Sequence, residues 1–198
     1  MSGVIVAAPM RIEQALISSA ARGARVRKTG MGARHSRAAA AALAREPGEG
    51  LLVLGFCGGL DAESVPGEVV IAVDVRAAAG EHDATETVAC DDAPALAQAV
   101  AASGLAVRTG SIVSVSKIAV GERRAHLLAG GAIAVDMESA WLAPGAAGRP
   151  FAVVRVVLDS PSHELLRPAA AVSAVRASRA LRRATAAVLQ CWRPQRLR

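Results

Sequence analysis

The feature that most constrains this chain is a recurrence of short, mainly apolar runs: 3–8 (GVIVAA), 51–56 (LLVLGF), 69–75 (VVIAVDV) and 151–158 (FAVVRVVL), the last two broken only by Asp74 and Arg155. A run of this kind has no polar face to offer water, so it predicts a strand covered on both sides. Shorter strands are expected at 25–29, 111–115 and 133–135. Helices are expected between them at 13–21, 36–45, 93–103 and about 169–189, with a polar loop through Glu81, His82, Asp83 and Glu86. Strands that alternate with helices along the whole chain predict an α/β fold of three layers, in which helices flank a central mixed, largely parallel twisted sheet. Neither an internal repeat nor a linker interrupts the pattern. Residues 1–198 are therefore expected to form a single domain that ends in a basic helix and a tail at 190–198, long enough to bury roughly 70% of the unfolded surface.

Composition shapes that core. With two Phe, two Trp and no Tyr, it must be filled by Val, Leu, Ile and Ala, which favours thin helices packed close to the sheet. The net charge of +6 is concentrated late in the chain, in Arg167, Arg176, Arg179, Arg182, Arg183, Arg193, Arg196 and Arg198, with no acidic residue after Glu164. A solvated basic helix accounts for this most simply. Contact with anionic lipid comes next, and nucleic acid last, because no stacking aromatics are interleaved. Cys57, Cys90 and Cys191 lack the spacing of a zinc site, so free thiols are expected, with no metal and no cofactor. The apolar opening at 1–9 has no basic n-region and is too short to span a bilayer, so a cytoplasmic protein without a leader is expected.

Open α/β sheets place ligand clefts at strand ends, and four strand ends here carry unusual residues: Met10 to Glu13, Gly55 to Leu60, Asp136 to Glu138, and Asp159. Each alone has an ordinary explanation as a first-turn carboxylate, a tight turn or a cap. Their order and spacing carry more. The segment Ala134-Val135-Asp136-Met137-Glu138-Ser139-Ala140 is similar to the ribose-binding segment of the nucleoside phosphorylases and methylthioadenosine/S-adenosylhomocysteine nucleosidases. Gly55-Phe56-Cys57-Gly58-Gly59-Leu60, Val154-Arg155-Val156-Val157-Leu158-Asp159, Met10-Arg11-Ile12-Glu13 and Thr29-Gly30-Met31-Gly32 extend the resemblance from Val4 to about Leu189.

The resemblance implies cleavage of an N-glycosidic bond, which leaves positive charge on the sugar and negative charge on the base. It places Asp159 as the general acid at purine N7, Glu138 as the carboxylate that receives the ribose hydroxyls, and Met137 against the sugar. Glu13, three residues after Met10, matches the nucleosidase carboxylate that activates water. Asp136, Met31, Cys57, Gly58, Lys117 and Ile118 complete the expected substrate-binding set. Where phosphorylases carry phosphate-binding residues, this chain has Val53 and Phe56, which leaves Arg11 and Arg34 as the remaining candidates and favours hydrolysis.

Other departures bear on the substrate. Lys117 stands where a Phe usually meets the adenine face, and Leu158 and Phe56 replace small polar residues, which makes the pocket more apolar. The segments GFCGGLD, VDMESA and VVRVVLDSPSHELLRPA most resemble the hopanoid-associated branch, which implies removal of adenine from adenosylhopane. The alternatives are a methylthioadenosine/S-adenosylhomocysteine or futalosine-type nucleosidase, a phosphate-dependent purine nucleoside phosphorylase, or an inactive nucleoside-binding relative. The resemblance also implies a homodimer or larger assembly. A dinucleotide-binding module is excluded, because no G-x-G-x-x-G follows the first strand.

Overall fold

The computed structural model describes residues 3–21, 23–79, 83–163 and 170–192. Glu81, His82, Glu164, Arg167, Arg193, Arg196 and Arg198 lie outside them. In chain order the elements are β1 (Val4–Ala8), α1 (Arg11–Ala20), β2 (Arg25–Lys28), α2 (Ala33–Leu43), β3 (Gly50–Gly59), β4 (Val69–Ala79), β5 (Asp83–Ala89) and α3 (Ala93–Ala102). There follow β6 (Val107–Ser114), α4 (Glu122–Ala129), β7 (Ala132–Asp136), α5 (Ser139–Leu142), a 3-10 turn (Ala143–Ala146), β8 (Phe151–Asp159) and α6 (Ala170–Cys191).

All the strands join one mixed sheet. Its order is β2-β1-β3-β7-β6-β4-β5, and β8 lies between β3 and β4. β3 is long enough to serve two partners. Residues 51–57 run parallel to β8, whereas Gly58 and Gly59 pair antiparallel with β7. Because β8 also pairs with β4, β4 with β6, and β6 with β7, the strands β3, β8, β4, β6 and β7 close a ring. Closure satisfies backbone groups that an open edge would leave unpaired.

Successive side chains of a strand point to opposite faces, and the core divides accordingly. Val4, Val6, Leu52, Leu54, Val154 and Val156 pack with Ile17, Leu96, Val100, Leu181 and Val188 on the side of α1, α3 and α6. Ile5, Ala7, Leu51, Val53, Val153 and Val157 pack with Leu43 and Leu142 on the side of α2 and α5. Covering both faces is what the mainly apolar runs require, and the three-layer, largely parallel arrangement matches the expectation from the sequence.

Three differences matter. The expected polar loop at Asp83 and Glu86 belongs to β5, antiparallel to β4 at the end of the sheet. An edge strand tolerates polar residues, so its composition resembles a loop. Gly58 and Gly59 do not form a turn after β3 but continue it. The charged helix α4 had no apolar stripe to announce it.

Candidate active site

A cavity of about 180 Å3 opens where the C-terminal ends of β1, β3, β7 and β8 converge. Glu13, Met31, Cys57, Gly58, Ile118, Asp136, Met137, Glu138 and Asp159 all line it, so the structure brings together nearly every residue singled out from the sequence. Lys117 is exposed and lies outside the lining, although Ile118 beside it contributes. Arg11 and Arg34 are also exposed and outside it.

Glu13 sits in the first turn of α1, where a carboxylate meets unpaired helix N–H groups. It is 1% exposed. One oxygen accepts the Met10 N–H at 2.7 Å and the other accepts the Phe56 N–H, also at 2.7 Å, which ties α1 to β3. Burial raises its pKa above the ordinary carboxylate range, against the lowering influence of Arg155 and the two backbone donors. Gly55 makes this close approach possible. A Cβ there would lie 2.5 Å from Glu13 Oε1 and 2.6 Å from Arg155 Nη1.

Arg155 is the centre of the site's electrostatics. It is fully buried in β8, with Nη2 2.7 Å from Asp136 Oδ2 and 3.4 Å from Glu138 Oε2, and donates to Ser139 Oγ at 2.9 Å. Asp136 also accepts the Ser114 hydroxyl at 2.5 Å, the Glu138 and Ser139 backbone N–H groups at 3.2 Å, and the Ser139 hydroxyl. Protein donors therefore fill the Asp136 carboxylate, which works as a strut. Glu138 is held more loosely, by the Gly32 N–H at 3.1 Å and the longer Arg155 contact, and keeps lone pairs for a ligand. Burial pushes the Glu138 pKa up to about 7, with Arg155 opposing and Asp136 adding to the rise. One guanidinium stands against three neighbouring carboxylates, and of these Glu13 and Glu138 are pushed up, chiefly by burial.

Asp159 stands at the end of β8, and its Oδ2 accepts a hydrogen bond from Arg124 Nη2 of α4. Arg124 is itself buried. It also donates to the Ala119 carbonyl at 2.9 Å and to the Gly59 carbonyl at 3.2 Å. Gly58 leaves room for this pair, since a Cβ there would come within 3.1 Å of Arg124 Nη2 and 3.2 Å of Asp159 Oδ1. Cys57 is buried beside it, and burial pushes its thiol far above the usual range, so it presents a neutral, apolar surface.

The sequence assigned no role to Arg155 or Arg124. A charge inside the apolar run FAVVRVVL signalled that β8 must meet buried carboxylates. Arg124 carried no signal, because it follows Glu122 and Arg123 at the charged start of a short helix, where nothing distinguishes it from a solvated residue. Among the described residues no group of His, Cys, Asp and Glu has the arrangement of a metal site.

Comparisons with known proteins agree with this architecture. Residues 16–191 match the family model described as the phosphorylase superfamily. A comparison with curated protein sequences finds no match. Among solved structures, the 5′-methylthioadenosine/S-adenosylhomocysteine nucleosidase from Neisseria meningitidis, in complex with methylthio-immucillin-A, superposes with a TM-score of 0.76 at 20% identity, covering 97% of this chain and 100% of that one. The corresponding nucleosidase from Campylobacter jejuni gives 0.77 at 15% identity, with 96% and 100% covered. A futalosine hydrolase mutant of Helicobacter pylori gives 0.74 at 18%, with 95% and 99% covered. At these identities the likeness is one of fold. With the family model spanning nearly the whole chain, the protein belongs to the phosphorylase superfamily and is an enzyme of that family, a nucleosidase or a phosphorylase.

Proposed function

We propose that the protein hydrolyses the N-glycosidic bond of an adenosine-type nucleoside and releases adenine. The observation that carries this reading is Glu13, a buried carboxylate with a raised pKa, fixed by two backbone N–H groups in the wall of the cavity. A carboxylate whose pKa burial has raised is a stronger base than a solvated one, and is suited to take a proton from water. In the proposed reaction water attacks C1′, Glu13 takes one of its protons, and the C1′–N9 electron pair passes into the purine. Asp159, at the far end of the cavity, gives a proton to the departing base at N7, as a general acid. Glu138 receives the ribose hydroxyls, and Met137 packs against the sugar.

The charge around the cavity favours water over phosphate. Of the arginines near it, Arg124 is paired with Asp159 and Arg155 is enclosed by carboxylates, whereas Arg11 and Arg34 lie outside. A dianionic phosphate would face Glu13 and Glu138, and the one cation lining the cavity among the described residues, Arg124, is already paired with Asp159. Purified enzyme should therefore release adenine in phosphate-free buffer and yield free ribose or its 5′-substituted form. Phosphate-dependent turnover that produces a sugar 1-phosphate would overturn the hydrolytic reading.

For the 5′ substituent, the proposal favours an apolar group such as that of adenosylhopane. Met31 and Ile118 line the cavity while remaining 57% and 69% exposed, so its mouth is apolar. A second copy of the chain closing over this rim is part of the same proposal. α6 presents exposed Val172 and Val175 beside Arg176 and Arg179, a combination suited to resting on anionic lipid. The value of kcat/KM should be higher for adenosylhopane than for methylthioadenosine, S-adenosylhomocysteine or futalosine. The reverse order would assign the enzyme to one of those soluble substrates.

A further inference from the structure

Away from the catalytic cavity, α6 turns one face to solvent. Val172, Val175, Arg176, Arg179 and Arg183 are spaced by three and four residues, so they share a side of the helix. Leu181, Ala184 and Val188 turn instead to the sheet and are fully buried. The solvent face is one wall of a groove of about 500 Å3, and the chain at 65–68 and 104–106 forms the other. Val172 and Val175 are 70% and 52% exposed, and Val65 across the groove is 39% exposed. The arginines are seated rather than loose. Gly67, with a φ of +92°, brings its backbone against the stem of Arg176, where a Cβ would lie 2.7 Å from Cγ. Two helical turns further on, Arg183 donates to the Ser103 carbonyl.

This positive charge has no answering acid. α6 contains no Asp or Glu, and among the described residues neither Arg176 nor Arg179 makes a hydrogen bond or an ion pair. Arg183 meets only a neutral carbonyl. Glu68, the single carboxylate in the lining, is buried and stands 3.8 Å from Arg108 of β6, so its own cation comes from the sheet. Guanidinium forks over one groove suit the oxygens of a phosphate. The valines on both rims add apolar surface that a small soluble anion would leave in water, whereas the acyl boundary of a lipid would cover it. The lining holds no aromatic side chain on which a nucleobase could stack. We propose that this groove is a headgroup site for an anionic phospholipid: Arg176 and Arg179 bind its phosphate, Arg183 adds to the field, and Val65, Val172 and Val175 rest against the lipid beyond it. The proposal rests on the reading of α6 as a lipid-facing helix and deepens it, because a defined seat replaces diffuse attraction.

Co-sedimentation with vesicles tests the seat. The wild type should bind phosphatidylcholine vesicles that contain about 30% phosphatidylglycerol and should leave pure phosphatidylcholine vesicles unbound. Loss of one charge from a diffuse field weakens such binding by about fivefold, which is the most expected of Arg182→Gln, an exposed position of α6 outside the groove. Arg179→Gln removes the same charge together with its hydrogen bonds to phosphate, and should weaken binding by about tenfold to a hundredfold. Inorganic phosphate should release the wild type from the vesicles at concentrations where sodium chloride of equal ionic strength does not. That comparison needs no variant, and melting curves verify the fold of the other two proteins. Absence of binding to the charged vesicles would overturn this inference and the lipid-facing reading of α6 together. Equal losses in Arg179→Gln and Arg182→Gln, or equal release by phosphate and chloride, would overturn this inference alone and leave diffuse attraction in its place. A single-stranded DNA oligonucleotide that binds the wild type more tightly than the vesicles do would overturn it in favour of nucleic acid.

Discussion

Replacing Glu13 with glutamine would set an amide against the backbone N–H groups of Met10 and Phe56, and one of those donors would face another N–H. More directly, an amide cannot accept a proton from water. Turnover of Glu13→Gln in phosphate-free buffer should fall by about 10²- to 10⁴-fold, and added phosphate should not restore it, as adenine release will show. Glu138 gives the site a pH dependence. Its folded pKa of about 7 lies above the ordinary 4.5, so the folded chain keeps a proton that the unfolded chain has lost. Between those values, rising pH removes stability and at the same time produces the carboxylate proposed to accept ribose hydroxyls. The value of kcat/KM should therefore climb through about pH 7, and Glu138→Gln should abolish that limb while flattening the loss of thermal stability. The carboxylates of this site were legible because each follows an apolar run at a strand end. Arg124 was not legible, because what makes it special is the partner that packing brings to it from 35 positions away.

At the scale of elements, the buried strands and long helices were legible from period and composition, since a two-sided burial requirement leaves a plain trace. β5 and α4 escaped because an edge strand and a surface helix need neither an unbroken apolar run nor a strong stripe. α6 is anchored by Leu181 and Val188, both fully buried against β8 and its neighbours. Leu181→Ala should cost about 2–5 kcal/mol, seen as a lower denaturant midpoint at unchanged slope. β3 offers the contrasting case, in which activity should suffer beyond stability. Gly55→Ala would force Glu13 and Arg155 apart, so overpacking should lower stability by about 1–3 kcal/mol. Displacing the base of the reaction should meanwhile reduce turnover by about a hundredfold or more, and comparison of kcat with the melting curve distinguishes the two effects.

For the molecule as a whole, Arg155 couples stability to chemistry. Removing one partner of a buried ion pair typically costs about 3–5 kcal/mol, so Arg155→Met should lower the melting temperature by roughly 6–20 °C in a chain of this size. The closed ring of β3, β8, β4, β6 and β7 governs something else, the order of events in time. β8 fills the space between β3 and β4, yet it is made about 100 residues after β3 begins, as positions 50 and 151 show. On the ribosome, β3 and β4 wait with a gap between them until β8, which begins about three quarters of the way along the sequence, emerges. That same late strand delivers Arg155 and Asp159. A nascent chain released before β8 would carry Glu13 and Glu138 but no guanidinium between them, and should bind no nucleoside. The charged centre of the cavity is therefore complete no earlier than β8.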